Sequence, residues 1–317
     1  MKNALILGGT GFVGRHVCEK LQREGWHVTV PTRRAINASA VQHLPGLTVI
    51  EADVHDEAAL TRLLPGHDVV INLVAILHGS EAAFERTHVE LPAKLARTCV
   101  ASGVRRVVHV SALGVSADSP SRYQRSKARG ETLLRAAELD LSVLRPSVIF
   151  GAGDRFLNLF AQLQAVFPVM PLAGAQARFQ PVWVEDVASA VVACAKDSGL
   201  PRSSVGQTYE CAGPAVLTLA DLVRLAGRFG SRQRPILPLP MAIGRLQALM
   251  MELAPGEPLM SRDNLDAMST PNVATGDLPG LADLGIAPSS VHTVAPVYLG
   301  QRGGRSQLLH LRQRARR

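Results

Sequence analysis

The apolar run Ala4–Leu7 ends in Gly8-Gly9-Thr10-Gly11-Phe12-Val13-Gly14 and passes directly into a helix-like pattern. Nothing else in the chain restricts its fold as much. Glycines at this spacing let the backbone turn sharply and approach a pyrophosphate, and the last one lets the helix pack close to the strand. The phosphate then rests on the first amides of the helix. Taken alone the spacing is weak and could mark a structural turn. Here it follows a strand, starts a helix and opens a βαβ unit, so it reads as a dinucleotide turn. Gly8, Thr10, Gly11, Phe12, Val13 and Gly14 are the residues expected to hold the nucleotide.

Strand-like and helix-like segments alternate from there. "HVTVP", "LTVIEAD", "HDVVINLVA", "RRVVHVSA" and "LSVLRPSVIFG" read as the second to sixth strands. Helices are expected from Phe12 to about Glu24, from about Ala82 to Ser102 and from about Tyr123 to Ala137. Short strands rich in Val, Ile and Leu fit a sheet covered on both faces. The expected class is α/β, a Rossmann-type doubly wound parallel sheet with a smaller C-terminal lobe on the substrate side. Residues 1–150 form the nucleotide-binding domain and 180–212 return to it. Residues 151–179, which contain the helix "DRFLNLFAQLQ", and 213–300 form the cleft wall. Residues 301–317 are a basic tail.

That tail sets the charge balance. The net charge is +8, and residues 301–317 hold six arginines and no acid, so the rest is close to neutral. Nucleic-acid binding by a basic face is therefore not expected. The tail reads either as a solvated end or as a contact for an acidic partner or an anionic membrane surface. No apolar stretch is long enough for a transmembrane segment. The residues after Met1 already read as a strand, so no signal or transit peptide is expected. The chain is placed in the cytoplasm, with a peripheral position at the inner face of the membrane as the sharper alternative. The four cysteines form no CxxC pair and read as core residues in a reducing compartment. Ten scattered histidines suggest no metal site.

Cofactor preference is read after the second strand. Sites that prefer NAD place a carboxylate there, but no Asp or Glu occurs between Glu24 and Glu51. "VPTRRA" places Arg33 and Arg34 there, and guanidinium groups match a 2′-phosphate. NADP(H) is therefore expected over NAD(H). Asp53 follows the third strand, with Val54 beside it. It is placed either to accept from the adenine amino group or to cap a helix. Leu73, Val74 and Ala75 would pass under the cofactor, and Pro146, Ser147 and Val148 would pass the nicotinamide.

"SRYQRSKARGE" sets Tyr123 and Lys127 four residues apart, on one helical face. A tyrosine exchanges protons near neutral pH only when a nearby cation lowers its pKa. Together, GGTGFVG, Asp53, "HVSALG" and Tyr123-x-x-x-Lys127 resemble the extended or atypical short-chain dehydrogenase/reductases, the NAD-dependent epimerase/dehydratase type. "LRPSVIFG", "VWVEDVA" and "GQTYECAGP" resemble further landmarks of that branch. "SRYQRSKARGE" with "RPSVIFGAGDRFLN" is similar to a narrower group, the nucleotide-binding accessory subunit of respiratory complex I and its bacterial relatives. That resemblance implies NADPH as ligand, Arg33 as the leading 2′-phosphate contact, and a respiratory-complex partner. The superfamily also implies a catalytic Ser or Thr with Tyr123 and Lys127. Ser111 is the candidate, but by register the hydroxyl position falls on Ala112, and Ser116 is a distant substitute.

Asp154 reads as a cap, with Arg155 and Asn158 near the nicotinamide end. Asp186 reads as a cap or a tie between lobes. The stretch from Met241 to Met260 reads as packing, a pocket wall or a partner contact. Two functions stay open. One is an NADP(H)-binding structural or assembly protein. The other is an active NADP-dependent oxidoreductase or epimerase using Tyr123 and Lys127 on a small apolar, quinone- or isoprenoid-related substrate.

Overall fold

The computed structural model describes residues 2–230, 232–253, 256 and 258–299. The basic tail lies outside them. In chain order the strands are β1 (Asn3–Leu7), β2 (His27–Thr32), β3 (Leu47–Glu51), β4 (Val69–Asn72), β5 (Arg106–Val110), β6 (Asp140–Pro146), β7 (Ile149–Phe150), β8 (Met170–Ala173), β9 (Arg178–Phe179), β10 (Val182–Trp183), β11 (Thr208–Cys211), β12 (Leu217–Thr218) and β13 (Ile236–Leu239). The helices are α1 (Phe12–Arg23), α2 (Glu57–Leu63), α3 (Glu81–Phe84), α4 (Leu91–Ser102), α5 (Arg122–Arg135), α6 (Leu157–Val166), α7 (Val184–Lys196), α8 (Leu219–Phe229), α9 (Met241–Leu253), α10 (Arg262–Ala267) and α11 (Val291–Leu299).

Seven strands make one sheet, ordered β11-β6-β5-β4-β1-β2-β3. Every neighbouring pair is parallel. The order reverses between β1 and β4, so a crevice opens there beyond the strand ends, where such sheets take their ligands. Alternate strand residues face opposite layers. Ala4, Ile6, Val28, Val30, Val69 and Ile71 pack under α1 and α7. Leu5, Leu7, Val70, Val107, Leu141 and Val143 pack under α2, α4 and α5. Burial on both faces explains the continuous apolar runs.

Two expected elements are divided. The run read as one sixth strand breaks at Ser147-Val148, and β7 leaves the main sheet to pair with β10. The helix expected from Ala82 to Ser102 contains a π-helical turn, Glu85–Glu90, between α3 and α4. Expected strand ends also shorten. The fourth strand stops at Asn72, and the helix expected from Asp154 starts at Leu157. A late segment reaches back to the sheet, as Gly280 bridges to Glu210 of β11, and Asn272 bridges to Phe179 of β9 in the small β9–β12 pair.

Candidate functional site

The glycine turn leaves β1 at the topological switch. Gly8 has φ +84°, a left-handed conformation that suits glycine. Gly14 sits where no Cβ fits, because one would lie 2.2 Å from the Gly8 carbonyl oxygen. Gly11 is the N-cap of α1, with no side chain capping the helix and no acidic residue in its first turn. The early amides of α1 therefore keep their capacity for an anion. A pyrophosphate fits this cradle. Phe12 and Val13 stand in that first turn, and Thr10 is half-buried beside it.

Arg33 and Arg34 follow β2 as exposed side chains, and neither forms a salt bridge among the described residues. Asp53 is not a helix cap. Asp56 caps α2, its side chain accepting from the Ala58 amide. Asp53 accepts from the His55 amide at 3.0 Å and pairs with Arg86 at 3.4 Å. Val54 packs on the α2–α4 layer. After β4, Leu73 donates its amide to the Leu7 carbonyl, Val74 donates to the Asn72 side chain, and Ala75 is exposed. The amides of Ser147 and Val148 are engaged, by the Cys211 carbonyl and by Asn272 Oδ1. The Pro146 carbonyl accepts from Leu113. A ligand contact through these particular groups would have to displace protein partners.

Tyr123 and Lys127 stand on one face of α5, as their spacing requires. Lys127 is buried and donates to the Val110 carbonyl at 2.7 Å. Burial lowers its pKa to about 8, opposed by the charge of Glu131 one turn on. Glu131 is itself held in a two-point pair by Arg145. Burial raises Tyr123 to about 12. Ser111 directly follows β5, and its buried Oγ has no hydrogen-bond partner among the described residues. Ala112, the register equivalent of the catalytic hydroxyl, is half-buried and carries none.

Three residues that brace the site were not anticipated. Asp263 of α10 is buried and caps the start of α5. Its carboxylate accepts from Ser121 Oγ at 2.9 Å, from the Arg122 amide at 2.6 Å and from the Tyr123 amide at 3.1 Å. These are charge-assisted bonds to helix N-terminal donors. Asn272 accepts from Ser147 Oγ and the Val148 amide, which fixes the corner after β6. His88 lies in the π-helical turn. Its Nε2 accepts from the Ile76 amide at 3.1 Å, so its Nδ1 carries the proton donated to Ser126 Oγ at 2.9 Å. Its ring meets Tyr123 edge to face at 5.4 Å. The motif Ser261-x-x-Asn264 announces α10 locally, as the capping box confirms. Nothing in the sequence announces its reach to α5.

Burial lowers the His88 pKa to about 3, with Lys127 adding repulsion. A depressed histidine stabilises the fold above its unfolded pKa near 6.5, and that stability is lost as pH falls toward the folded value. His88 alone should cost about 2 kcal/mol of stability by pH 5. Urea unfolding of wild type and His88→Gln at pH 7.5 and 5 measures this. The variant should show the smaller acid loss, and equal losses would remove His88 from the balance.

Asp154 accepts from the Gly151, Phe156 and Asn158 amides and from Tyr298 Oη, a structural role. Asp186 ties α7 to the Ser289 amide. All four cysteines are buried. No cluster fit for a metal occurs among the described residues.

The sequence profile of the NAD dependent epimerase/dehydratase family matches residues 4–205. The chain belongs to that family. Among relatives of this epimerase/dehydratase chain, the mouse mitochondrial "NADH dehydrogenase [ubiquinone] 1 alpha subcomplex subunit 9" is 35% identical over 90% of this chain and 76% of its own. The ceramide reductase of Caulobacter vibrioides is 34% identical over 59% of each chain. The UDP-glucuronic acid 4-epimerase of Bacillus cereus, solved with UDP-glucuronic acid and NAD, superposes with a TM-score of 0.65 at 17% identity, covering 94% of this chain and 99% of its own. At that identity the epimerase shows a shared fold and no more.

Proposed function

We propose that this epimerase/dehydratase-family chain is an NADP(H)-binding protein of the complex I accessory-subunit kind, structural or assembly-related, with slow turnover or none. The observation that carries the reading is the extent of the likeness. Resemblance to the mouse subunit runs over 90% of the chain, whereas that to the ceramide reductase runs over 59%. Two features of α5 support it. Lys127 is already committed to the Val110 carbonyl, and burial holds Tyr123 well above the range of a working acid–base group. A respiratory complex is the corresponding partner.

The nucleotide would lie with its pyrophosphate on Gly8–Gly14 and its 2′-phosphate on Arg33, with Arg34 beside it. NADPH, when bound, supplies a hydride donor. Arg33→Ala should weaken NADPH binding about tenfold or more, the worth of one charge-assisted contact, and leave NADH nearly unchanged. Fluorescence titration with both nucleotides reads this directly. An equal loss for both, or tighter NADH binding by wild type, would remove the 2′-phosphate assignment. Tight NADPH binding without consumption over hours supports the holding role, and steady consumption with a cellular substrate refutes it.

A second reading, an active NADP-dependent reductase or epimerase on a small apolar substrate, is favoured by the unpartnered buried Ser111 hydroxyl and the intact Tyr123–Lys127 spacing. It requires Tyr123 to be the proton-transferring group. Tyr123→Phe should then lower turnover by about 100-fold or more with NADPH affinity retained. Unchanged turnover would exclude it.

A further inference from the structure

The cation that meets Asp53 does not come from the strand ends. Arg86 belongs to the π-helical turn between α3 and α4, and its Nη2 lies 3.4 Å from Asp53 Oδ2. Two residues along the same turn, His88 points inward to Ile76, Ser126 and Tyr123. Residues two apart on a helical turn do not share a face. The turn that braces α5 on its inner side therefore presents an arginine on its outer side, 60% exposed.

The sheet sets where that arginine arrives. β2 and β3 are parallel neighbours with Thr32 opposite Glu51, and the Ala52 amide donates to the Thr32 carbonyl at 2.9 Å. Arg33 and Asp53 thus leave the sheet at the same end of adjacent strands, about 4.8 Å apart. Asp53 draws Arg86 to that corner, and Lys94 of α4 donates to the His55 carbonyl there at 2.9 Å. Burial lowers the His55 pKa, Asp53 opposes this, and the charges of Arg86, Lys94 and Arg33 lower it further. The three cations therefore act on one place. Of the acids that follow, Asp56 caps α2, and Glu57 is held in a two-point pair by Arg97.

The two oxygens of Asp53 are held differently. Oδ1 accepts from the His55 amide at 3.0 Å, a bond within its own turn that orients the carboxylate. Oδ2 meets only Arg86 among the described residues. An exposed ion pair of this kind contributes little to stability. A phosphate monoester, with nearly two negative charges at neutral pH, outcompetes one carboxylate for a guanidinium. We infer that Arg86 changes partners when NADP(H) binds, leaving Asp53 and joining Arg33 on the 2′-phosphate. This rests on the NADP(H) reading above. The change has a second effect, because Asp53 Oδ2 becomes free to accept from the adenine amino group. NADH has no 2′-phosphate to draw Arg86 away and must compete with it for Asp53. Selectivity then has two sources, attraction of the phosphate and obstruction of the nucleotide that lacks it.

The test is fluorescence titration of wild type, Arg33→Ala and Arg86→Ala with NADPH and with NADH. The urea midpoint of each nucleotide-free protein is the folding control. Arg86→Ala should keep its midpoint, weaken NADPH about tenfold and tighten NADH severalfold. The gain for NADH separates Arg86 from Arg33, whose loss leaves NADH nearly unchanged. If Arg86→Ala shifts the midpoint, Arg86→Gln, which keeps much of the side chain without the charge, replaces it. Arg86→Lys should restore part of the preference for NADPH. An unchanged ratio of the two affinities in folded Arg86→Ala overturns the inference, and leaves the Arg33 assignment standing if Arg33→Ala lowers that ratio. Equal weakening of both nucleotides also overturns it. Weaker NADPH with NADH unchanged would make Arg86 a plain phosphate contact and overturn the exchange with Asp53. A wild type without preference for NADPH removes the NADP(H) reading, and this inference with it.

Discussion

Gly14→Ala should abolish useful nucleotide binding, lowering NADPH affinity by about 100-fold or more, and should cost the fold about 2–4 kcal/mol. The reason is geometric. The added methyl would lie 2.2 Å from the Gly8 carbonyl oxygen, 2.6 Å from Gly9 Cα and 2.7 Å from the Gly9 carbonyl carbon. All three are backbone atoms, so no side chain can rotate out of the way. Either α1 moves off the strand end or the Gly8-Gly9 turn opens. Both responses shift the uncapped amides at the start of α1 relative to the turn, and a phosphate held by charge-assisted bonds tolerates little displacement. Isothermal titration with NADPH, alongside urea unfolding, separates the two losses. A variant that binds NADPH within a few-fold of wild type would show that the pyrophosphate lies elsewhere.

Gly130→Ala tests the other side of the crevice. In an open helix this change would stabilise by about 1 kcal/mol, since alanine is the better helix former. On α5 the new methyl would meet the His88 carbonyl oxygen at 2.0 Å and Pro92 Cγ at 3.2 Å. Close approach of α5 to the π-helical turn exists because residue 130 has no side chain. Forcing the two apart disturbs His88, which links Ile76 to Ser126 and abuts Tyr123. Net destabilisation of about 3 kcal/mol or more is expected, read from the shift in urea midpoint. Stability equal to or above wild type would mean that helix propensity outweighs the contact and that the two elements separate freely.

The parts legible in the sequence were those whose cause is local. β1, β2, β4, β5 and β6 announced themselves because burial on both faces demands unbroken apolar runs, while the edge strand β3 packs only through half-buried Leu47 and Val49. The turn at Gly8–Gly14 and the pair Tyr123 and Lys127 were legible because strand, turn and helix spacings place them together within a few residues. The break at Ser147-Val148 was hidden inside an apolar run that stays apolar on both sides of it. The π-helical turn was hidden because six residues are too few to reveal a changed period. Asp263 and Asn272 were hidden for a different reason. Their carboxylate and amide act on backbone groups more than a hundred residues earlier, and side-chain identity carries no sign of that address. The same limit applies to Asp53, where the sequence left adenine contact and helix cap open and the neighbouring Asp56 holds the cap.

The cap that Asp263 places on α5 also has a consequence in time. It comes from a residue 140 positions downstream of the Tyr123 amide that it accepts. At ribosomal speeds of about 5–20 residues per second, that interval is on the order of 10 s. The strands β1 to β6 and their covering helices can pair during it, while the first amides of α5 have no carboxylate to meet. The glycine turn and α1, whose last residue is Arg23, are therefore synthesised long before the tyrosine helix receives its last fixing contact. Synthesis orders the two halves of the crevice, glycine turn first and capped tyrosine helix last.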